Sequence, residues 1–187
     1  MRLLSFESNG RPGFGVVVGD GVVDASERLA GKPRSLREAL AAGALPLLER
    51  MSAMQADFRL SDVTFAPVIP DAAAKLLCVG VNYMPHIREM GRERPDRPVI
   101  FVRFRDSIVG HEQPLLKPRE SEQLDFEGEL AVVIGKRARR VAKDRALDYV
   151  AGYACFNDGS VRDFQRHSGQ FTPGKNFHAS GAFGPWL

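Results

Sequence analysis

Leu124-Asp125-Phe126-Glu127-Gly128-Glu129-Leu130-Ala131-Val132-Val133-Ile134-Gly135 is the stretch on which the fold turns. Its run of apolar, mostly β-branched residues stops at a glycine, so 124–134 reads as one long strand. Side chains alternate across a strand. Asp125, Glu127 and Glu129 therefore share one face, and Phe126, Gly128 and Leu130 the other. Neighbouring carboxylates on a face that packs repel one another and resist ionising together. A hard cation such as Mg²⁺ or Ca²⁺ removes that conflict, because it prefers carboxylate oxygens. A solvent-exposed strand face explains the same letters without a metal.

Outward from this stretch the texture stays strand-rich. Lys75 to Val79 and Val99 to Phe104 read as short buried strands, and Tyr149 to Phe156 as another after a short helix over 143–148. Between the first two lie Pro85, Gly91, Pro95 and Pro98 among many charges, including Arg92, Glu93 and Arg94, which predicts a surface loop carrying one helical turn. The first 70 residues read as a unit of their own. Val16-Val17-Val18 and Val22-Val23 flank Gly19-Asp20-Gly21, a hairpin signal. Ser35 with Glu38 forms a capping box ahead of a helix that stops near Gly43, and a second helix follows over 47–54. Pro67 and Pro70 then lead into a linker at 69–74. The expectation is an α+β chain, mainly β, with units at 1–70 and 71–187.

Of 187 residues, 44% are hydrophobic and 26% charged, with a formal net charge of +3. That mixture excludes a disordered chain, a collagen and a coiled coil. Cys78 and Cys155 form no metal spacing or disulfide framework, and both lie in apolar runs, where cysteine packs as a small hydrophobe. No apolar stretch approaches the roughly 18 residues of a membrane span, and the opening Met1-Arg2-Leu3-Leu4 reaches Glu7 before the apolar core of a signal peptide could form. Together these point to the cytoplasm. The one concentrated basic run, Lys136-Arg137-Ala138-Arg139-Arg140, follows a strand and reads as a solvated turn rather than a phosphate-tracking stripe.

Three further clusters bear chemistry. Asn157-Asp158-Gly159-Ser160-Val161-Arg162-Asp163 follows an apolar strand, a common place for a site. Turn chemistry explains it equally, with Ser160 and Asp163 capping the next helix. His86 and Glu89 are spaced i,i+3 after Pro85, so on a helical turn the carboxylate orients the imidazole, a plausible general base near neutral pH. An exposed histidine in an ordinary pair is the plainer reading. Gly174-Lys175 is either a backbone approach beside an anion-binding lysine or a surface cation.

The order of these motifs, from Val79-Gly80-Val81-Asn82-Tyr83-Met84-Pro85-His86-Ile87-Arg88-Glu89 through 124–135, Asp148-Tyr149-Val150-Ala151-Gly152-Tyr153 and 157–165 to Gly174-Lys175-Asn176-Phe177, resembles the fumarylacetoacetate hydrolase family. The resemblance runs from Leu77 to Leu187. It implies a mixed β-roll for the catalytic unit, a small N-terminal α+β domain and a homodimer. By the same resemblance Glu127, Glu129 and Asp158 become ligands of Mg²⁺, Mn²⁺ or Ca²⁺. His86 and Glu89 become the dyad that activates water or moves a proton. Lys175 and Gln165 hold substrate oxygens, and Lys175 also stabilises developing negative charge. The implied partner is a small diketo or oxo acid, not nucleic acid or membrane. The implied reaction is carbon–carbon hydrolysis of an acylpyruvate or fumarylpyruvate in aromatic catabolism. Isomerisation or decarboxylation of a hydroxydienoate or oxo diacid is the alternative, and an inactive small-acid-binding member of the family is a third.

The sequence departs from the family pattern at Gly159, Asn176, His178 and Arg103, where a larger apolar residue, Ser, Asp and Lys are frequent. These positions are expected to loosen the turn beside Asp158 or to line the substrate pocket. The chain also stops at Gly184-Pro185-Trp186-Leu187, where the family continues into more strands. That leads to an expectation of an incomplete roll with unpaired strand edges.

Overall fold

The computed structural model describes residues 1–29, 32–91 and 93–187. Arg92, in the charged loop, lies outside them. The first sheet is built from β1 (Leu3–Ser8), β2 (Arg11–Val18), β3 (Gly21–Asp24), β4 (Phe58–Arg59) and β5 (Thr64–Phe65), in the order β4-β3-β2-β1-β5 and antiparallel throughout. The hairpin expected around Gly19-Asp20 joins β2 to β3, with Val18 paired to Gly21. Three helices interrupt the sheet, α1 (Ala25–Arg28), α2 (Leu36–Ala41) and α3 (Leu45–Met51). Ser35 caps α2 by accepting from the Glu38 N–H, but Glu38 answers to the Arg34 N–H, one residue before the cap.

The remaining strands are β6 (Leu76–Gly80), β7 (Val99–Arg103), β8 (Ile108–Val109), β9 (Leu124–Asp125), β10 (Gly128–Ile134), β11 (Val150–Asn157), β12 (Ser160–Val161) and β13 (Gly181–Phe183). They form a mixed four-stranded sheet, β10-β11-β13-β8, and two ribbons, β6-β7 and β9-β12. The β13–β8 pair is parallel. Short helices carry the connections: α4 (Met84–Glu89), α5 (Arg162–Gln165) and α6 (Thr172–Lys175). The result is the mainly-β mixed fold expected from the sequence.

The core is shared across both regions. Leu3, Phe14, Val16 and Leu36 pack in one cluster with Cys78, Phe101, Phe156 and Phe183. Burying a side chain of this size is worth roughly 1.5–3 kcal/mol, so this continuity binds the first sheet to the rest. The expected linker is tied down as well. Arg37 pairs with Asp71 at 2.9 Å, and Arg105 donates to the Pro70 carbonyl at 2.8 Å. Leu3 and Leu187 exchange both backbone hydrogen bonds, at 2.8 and 2.7 Å.

Two expectations change. The long strand over 124–134 is broken at Phe126 and Glu127 into β9 and β10, which belong to different sheets. Cys78 is buried as expected, but Cys155 is exposed. It sits opposite Leu130 on a β10–β11 face whose Leu130, Val132, Ile134 and Tyr153 also point outward. Among the described residues no helix is long and apolar enough to cross a membrane.

Candidate metal centre

The break between β9 and β10 builds the site. At Glu127 the chain leaves the ladder, because its N–H donates to Asn157 Oδ1 at 3.0 Å while its carbonyl accepts from the Asp158 N–H at 2.9 Å. These two bonds knit the break onto the end of β11. They also undo the alternation, so the three acids do not share a face. Asp125 turns to Arg162, accepting from Nε and Nη2 at 3.0 and 2.8 Å. Asp158 takes its place. Glu127, Glu129 and Asp158 each offer a carboxylate oxygen, and these three oxygens lie within 4.8 Å of one another.

Three cations hold this cluster. Lys175, at the end of α6 and 1% exposed, donates to Glu127 Oε2 at 2.8 Å, Asp158 Oδ2 at 2.7 Å and the Asp158 carbonyl at 3.3 Å. Arg103, at the end of β7, donates from Nη1 to Asp158 Oδ1 at 2.7 Å. Arg162 bridges Glu127 Oε1 to Asp125. Ser160 adds a hydroxyl donor to Glu127 Oε1 at 3.1 Å. Asp125, Glu127, Glu129 and Asp158 against Arg103, Arg162 and Lys175 leave a formal charge of −1.

The imbalance falls on Glu129. Among the described residues it has no ion pair, while Glu127 and Asp158 each have two. Burial, with the charges of Asp158 and Glu127, pushes the Glu129 carboxyl above its ordinary range. Glu127 is also pushed up by burial, but the Lys175 hydrogen bond and the Lys175 and Arg162 charges outweigh that and hold it low. Three hard oxygen donors, one of them short of a positive partner, fit a hard divalent cation such as Mg²⁺, Mn²⁺ or Ca²⁺. Cys78 lies close by, where burial, Asp158 and Glu129 push its thiol up to about 12. At that value it stays a neutral thiol rather than a soft ligand.

His86 and Glu89 occupy one face of α4, with Nδ1 and Oε2 3.3 Å apart. Both are exposed, at 57% and 80% of their side-chain surface. The residue that starts the helix fixes its place: Tyr83 Oη accepts from the Leu130 N–H at 3.2 Å, tying α4 to β10 one residue past Glu129. Gln165 lies at the end of α5, where its Oε1 accepts from Arg162 Nη1 at 3.1 Å.

Several sequence expectations are corrected. Ser160 does not cap α5, which has no side-chain cap; its hydroxyl serves Glu127 and the Asp158 carbonyl. Gly159 does not loosen the turn. A Cβ there would stand 2.0 Å from the Ser180 carbonyl oxygen, so close approach dictates glycine. Arg103 and Asn176 are engaged within the protein. The Arg103 side chain is fully buried, and the Asn176 amide bonds only to backbone. His178 is exposed. Reading residues alone missed Tyr83 and Arg162 as site-builders. Arg162 carried one usable signal, a cation placed among the acids of 157–163. Tyr83 carried none, because its partner is a backbone N–H 47 positions away.

Residues 75–187 match the family described as fumarylacetoacetate (FAA) hydrolase C-terminal. The chain belongs to the fumarylacetoacetate hydrolase family. Over its whole length it is 34% identical to the mitochondrial oxaloacetate tautomerase fahd2 of Xenopus laevis, of which it spans 61%. It is similar over its full length to maleylpyruvate hydrolase from Sphingobium sp. SYK-6, solved with manganese(II) and pyruvate. That similarity has a TM-score of 0.76, 26% identity and 66% of that chain covered. It is likewise similar to 5-carboxymethyl-2-hydroxymuconate delta-isomerase from Mycobacterium smegmatis, with a TM-score of 0.74, 28% identity and 66% of that chain covered. The chain thus spans less than two thirds of the length of these relatives. A hydrolase, an isomerase and a tautomerase stand among them.

Proposed function

We propose that this protein is a metal-dependent enzyme acting on a small oxo acid, and that it hydrolyses a carbon–carbon bond in an acylpyruvate or fumarylpyruvate type of diketo acid, in aromatic catabolism. The observation that carries the reading is the convergence of Glu127, Glu129 and Asp158 within 4.8 Å around the buried Lys175. These three carboxylates would hold Mg²⁺ or Mn²⁺. When bound, the ion supplies a Lewis acid for oxygens on which negative charge develops. It would turn the local charge from −1 to +1, which suits a carboxylate-bearing substrate.

The protein's own groups then have distinct roles. His86 takes a proton from water while Glu89 holds the imidazole and supports its positive charge. The hydroxide adds to the carbonyl distal to the acid, the bond between the two carbonyl halves breaks, and its electron pair passes into the enolate of the departing oxo acid. Lys175 directs all three of its donors to Glu127 and Asp158, so it acts on that charge as a fixed field rather than as a free donor. Gln165 Oε1 is taken by Arg162, and among the described residues its Nε2 has no partner, which suits donation to a substrate oxygen.

A second reading, keto–enol isomerisation of an oxo diacid, is favoured by the full-length similarity to oxaloacetate tautomerase. It uses the same enolate without the water. The test follows acetopyruvate and enol-oxaloacetate by ultraviolet absorbance with Mg²⁺, Mn²⁺ or EDTA, with pyruvate assayed in parallel. Metal-dependent pyruvate release from acetopyruvate supports hydrolysis, whereas pyruvate released from oxaloacetate reports decarboxylation. Metal-dependent decay of enol-oxaloacetate without pyruvate moves the assignment to the isomerase. No metal-dependent change in either refutes both.

A homodimer is part of the same proposal. The seven-residue edge strand β10 carries Leu130, Val132 and Ile134 outward, which suits pairing with a second copy. Sedimentation velocity gives the answer, and a monomer at micromolar concentration overturns it.

A further inference from the structure

Asp158 is held at both oxygens. Arg103 Nη1 binds Oδ1 and Lys175 Nζ binds Oδ2, each at 2.7 Å. The two cations arrive on separate elements, β7 and α6, and fixed geometry at Asp158 requires that these elements not slide past one another. One side chain spans them. Asn176 follows Lys175 directly. Its Oδ1 accepts from the Phe104 N–H at 2.6 Å, and its Nδ2 donates to the Val102 carbonyl at 3.0 Å and the Thr172 carbonyl at 3.1 Å. The first two bonds bracket Arg103 from either side.

We infer that Asn176 is a positioning residue that locks the Arg103 and Lys175 cations into one unit around Asp158, and so sets the affinity of the three-carboxylate cluster for a divalent ion. The inference rests on the metal reading above. The amide sets an acceptor and a donor side by side, as the edge of a strand does, and so adds a rung to the edge of β7 while its second donor serves the Thr172 carbonyl. A serine hydroxyl has a single proton to donate and cannot make the same set. The Arg103 end is equally built. Nη1 also donates to the Gly159 carbonyl at 3.0 Å and Nη2 to Ser180 Oγ at 2.8 Å. A Cβ at Gly181 would stand 2.8 Å from Nη2, so only glycine lets the backbone pack this closely against the guanidinium. Among the described residues the Asn176 side chain makes no hydrogen bond to the acids; its bonds go to the backbone on either side of Arg103 and to Thr172.

The experiment measures Mn²⁺ binding to the whole chain by electron paramagnetic resonance of the free ion, for the unaltered protein, Asn176→Ala, Asn176→Ser, Arg103→Lys and the Asn176→Ala/Arg103→Lys pair. Outer partners of metal ligands typically govern affinity by about 10–100-fold. Each single variant is expected to weaken binding by about tenfold or more, and the pair by no more than its weaker member, because both changes release the same unit. Melting temperatures of the two Asn176 variants should stay close to that of the parent, which separates positioning from folding. Unaltered Mn²⁺ affinity in both Asn176 variants refutes the inference, as does a pair that equals the product of its singles. Unfolding of both Asn176 variants refutes it too, by making the residue a fold determinant. An unaltered protein that binds no Mn²⁺ overturns the metal reading instead.

Discussion

Replacing Lys175 by Met removes the cation that two carboxylates share while leaving an apolar stem of similar length. The side chain is 2% exposed and pairs at 2.8 Å with Glu127 and at 2.7 Å with Asp158, itself 1% exposed. Removing one partner of such a buried pair costs about 3–5 kcal/mol, because the remaining charge is left uncompensated. In a chain of this size about 1 kcal/mol moves the melting temperature by roughly 2–4 °C. In EDTA the variant should therefore melt roughly 6–20 °C below the parent. A divalent ion changes the outcome. The local charge of the variant is −2 rather than −1, so the ion replaces the missing positive charge. At about 100 times its Kd a ligand that binds only the folded state returns about 2.7 kcal/mol. Thermal melts followed by circular dichroism, in EDTA and in Mn²⁺, should show a larger gain from Mn²⁺ in Lys175→Met than in the parent. Equal melting of the two proteins in EDTA would refute the view that Lys175 neutralises this cluster, and an equal gain from Mn²⁺ would refute the charge argument.

Glu129→Gln removes the acid that burial, Asp158 and Glu127 push up. Its melting temperature in EDTA should rise, and calorimetric Mn²⁺ binding should fall by about tenfold or more. Iodoacetamide at pH 8 should modify the exposed Cys155 and spare Cys78, giving one adduct per folded chain by mass spectrometry. Above pH 9 the unfolded chain releases the Cys78 proton that the folded chain keeps up to about 12. The unfolded state then binds fewer protons and stability falls with pH, by at most about 1.4 kcal/mol per unit. Denaturant titrations of Cys78→Ala should lack that slope. Gly159→Ala places a methyl 2.0 Å from the Ser180 oxygen, and urea unfolding should show a loss of about 3 kcal/mol or more.

Local signals carried most of the architecture. The β2–β3 hairpin, the Ser35 cap and the strands around Cys78 and Phe101 each follow from a few neighbouring residues. They were legible because turn chemistry and period-two patterning act at short range. The break at Phe126 and Glu127 was not, since nothing in that run disfavours a strand. Tertiary bonds from Asn157 and Asp158 override local propensity there. The site shows the same division. The i,i+3 contact of His86 with Glu89 could be read from spacing, whereas the joining of Asp158 to Glu127 and Glu129 came only with the family resemblance. Arg103, Asn176 and Gly159 were read as pocket or turn residues because the sequence records their identity and not their partners. Their partners, at 158, 102–104 and 180, lie on other elements.

The reciprocal hydrogen bonds between Leu3 and Leu187 have a consequence in time. Leu3 leaves the ribosome about 180 residues before the residue that completes its backbone pairing, at translation speeds of about 5–20 residues per second. For roughly 10–40 seconds β1 is without that pairing, and Phe14 and Val16 are without the Phe156 and Phe183 that complete their cluster. The apolar face of the nascent N-terminal segment is therefore exposed over that interval, and slowing synthesis between codons 70 and 180 should lengthen it.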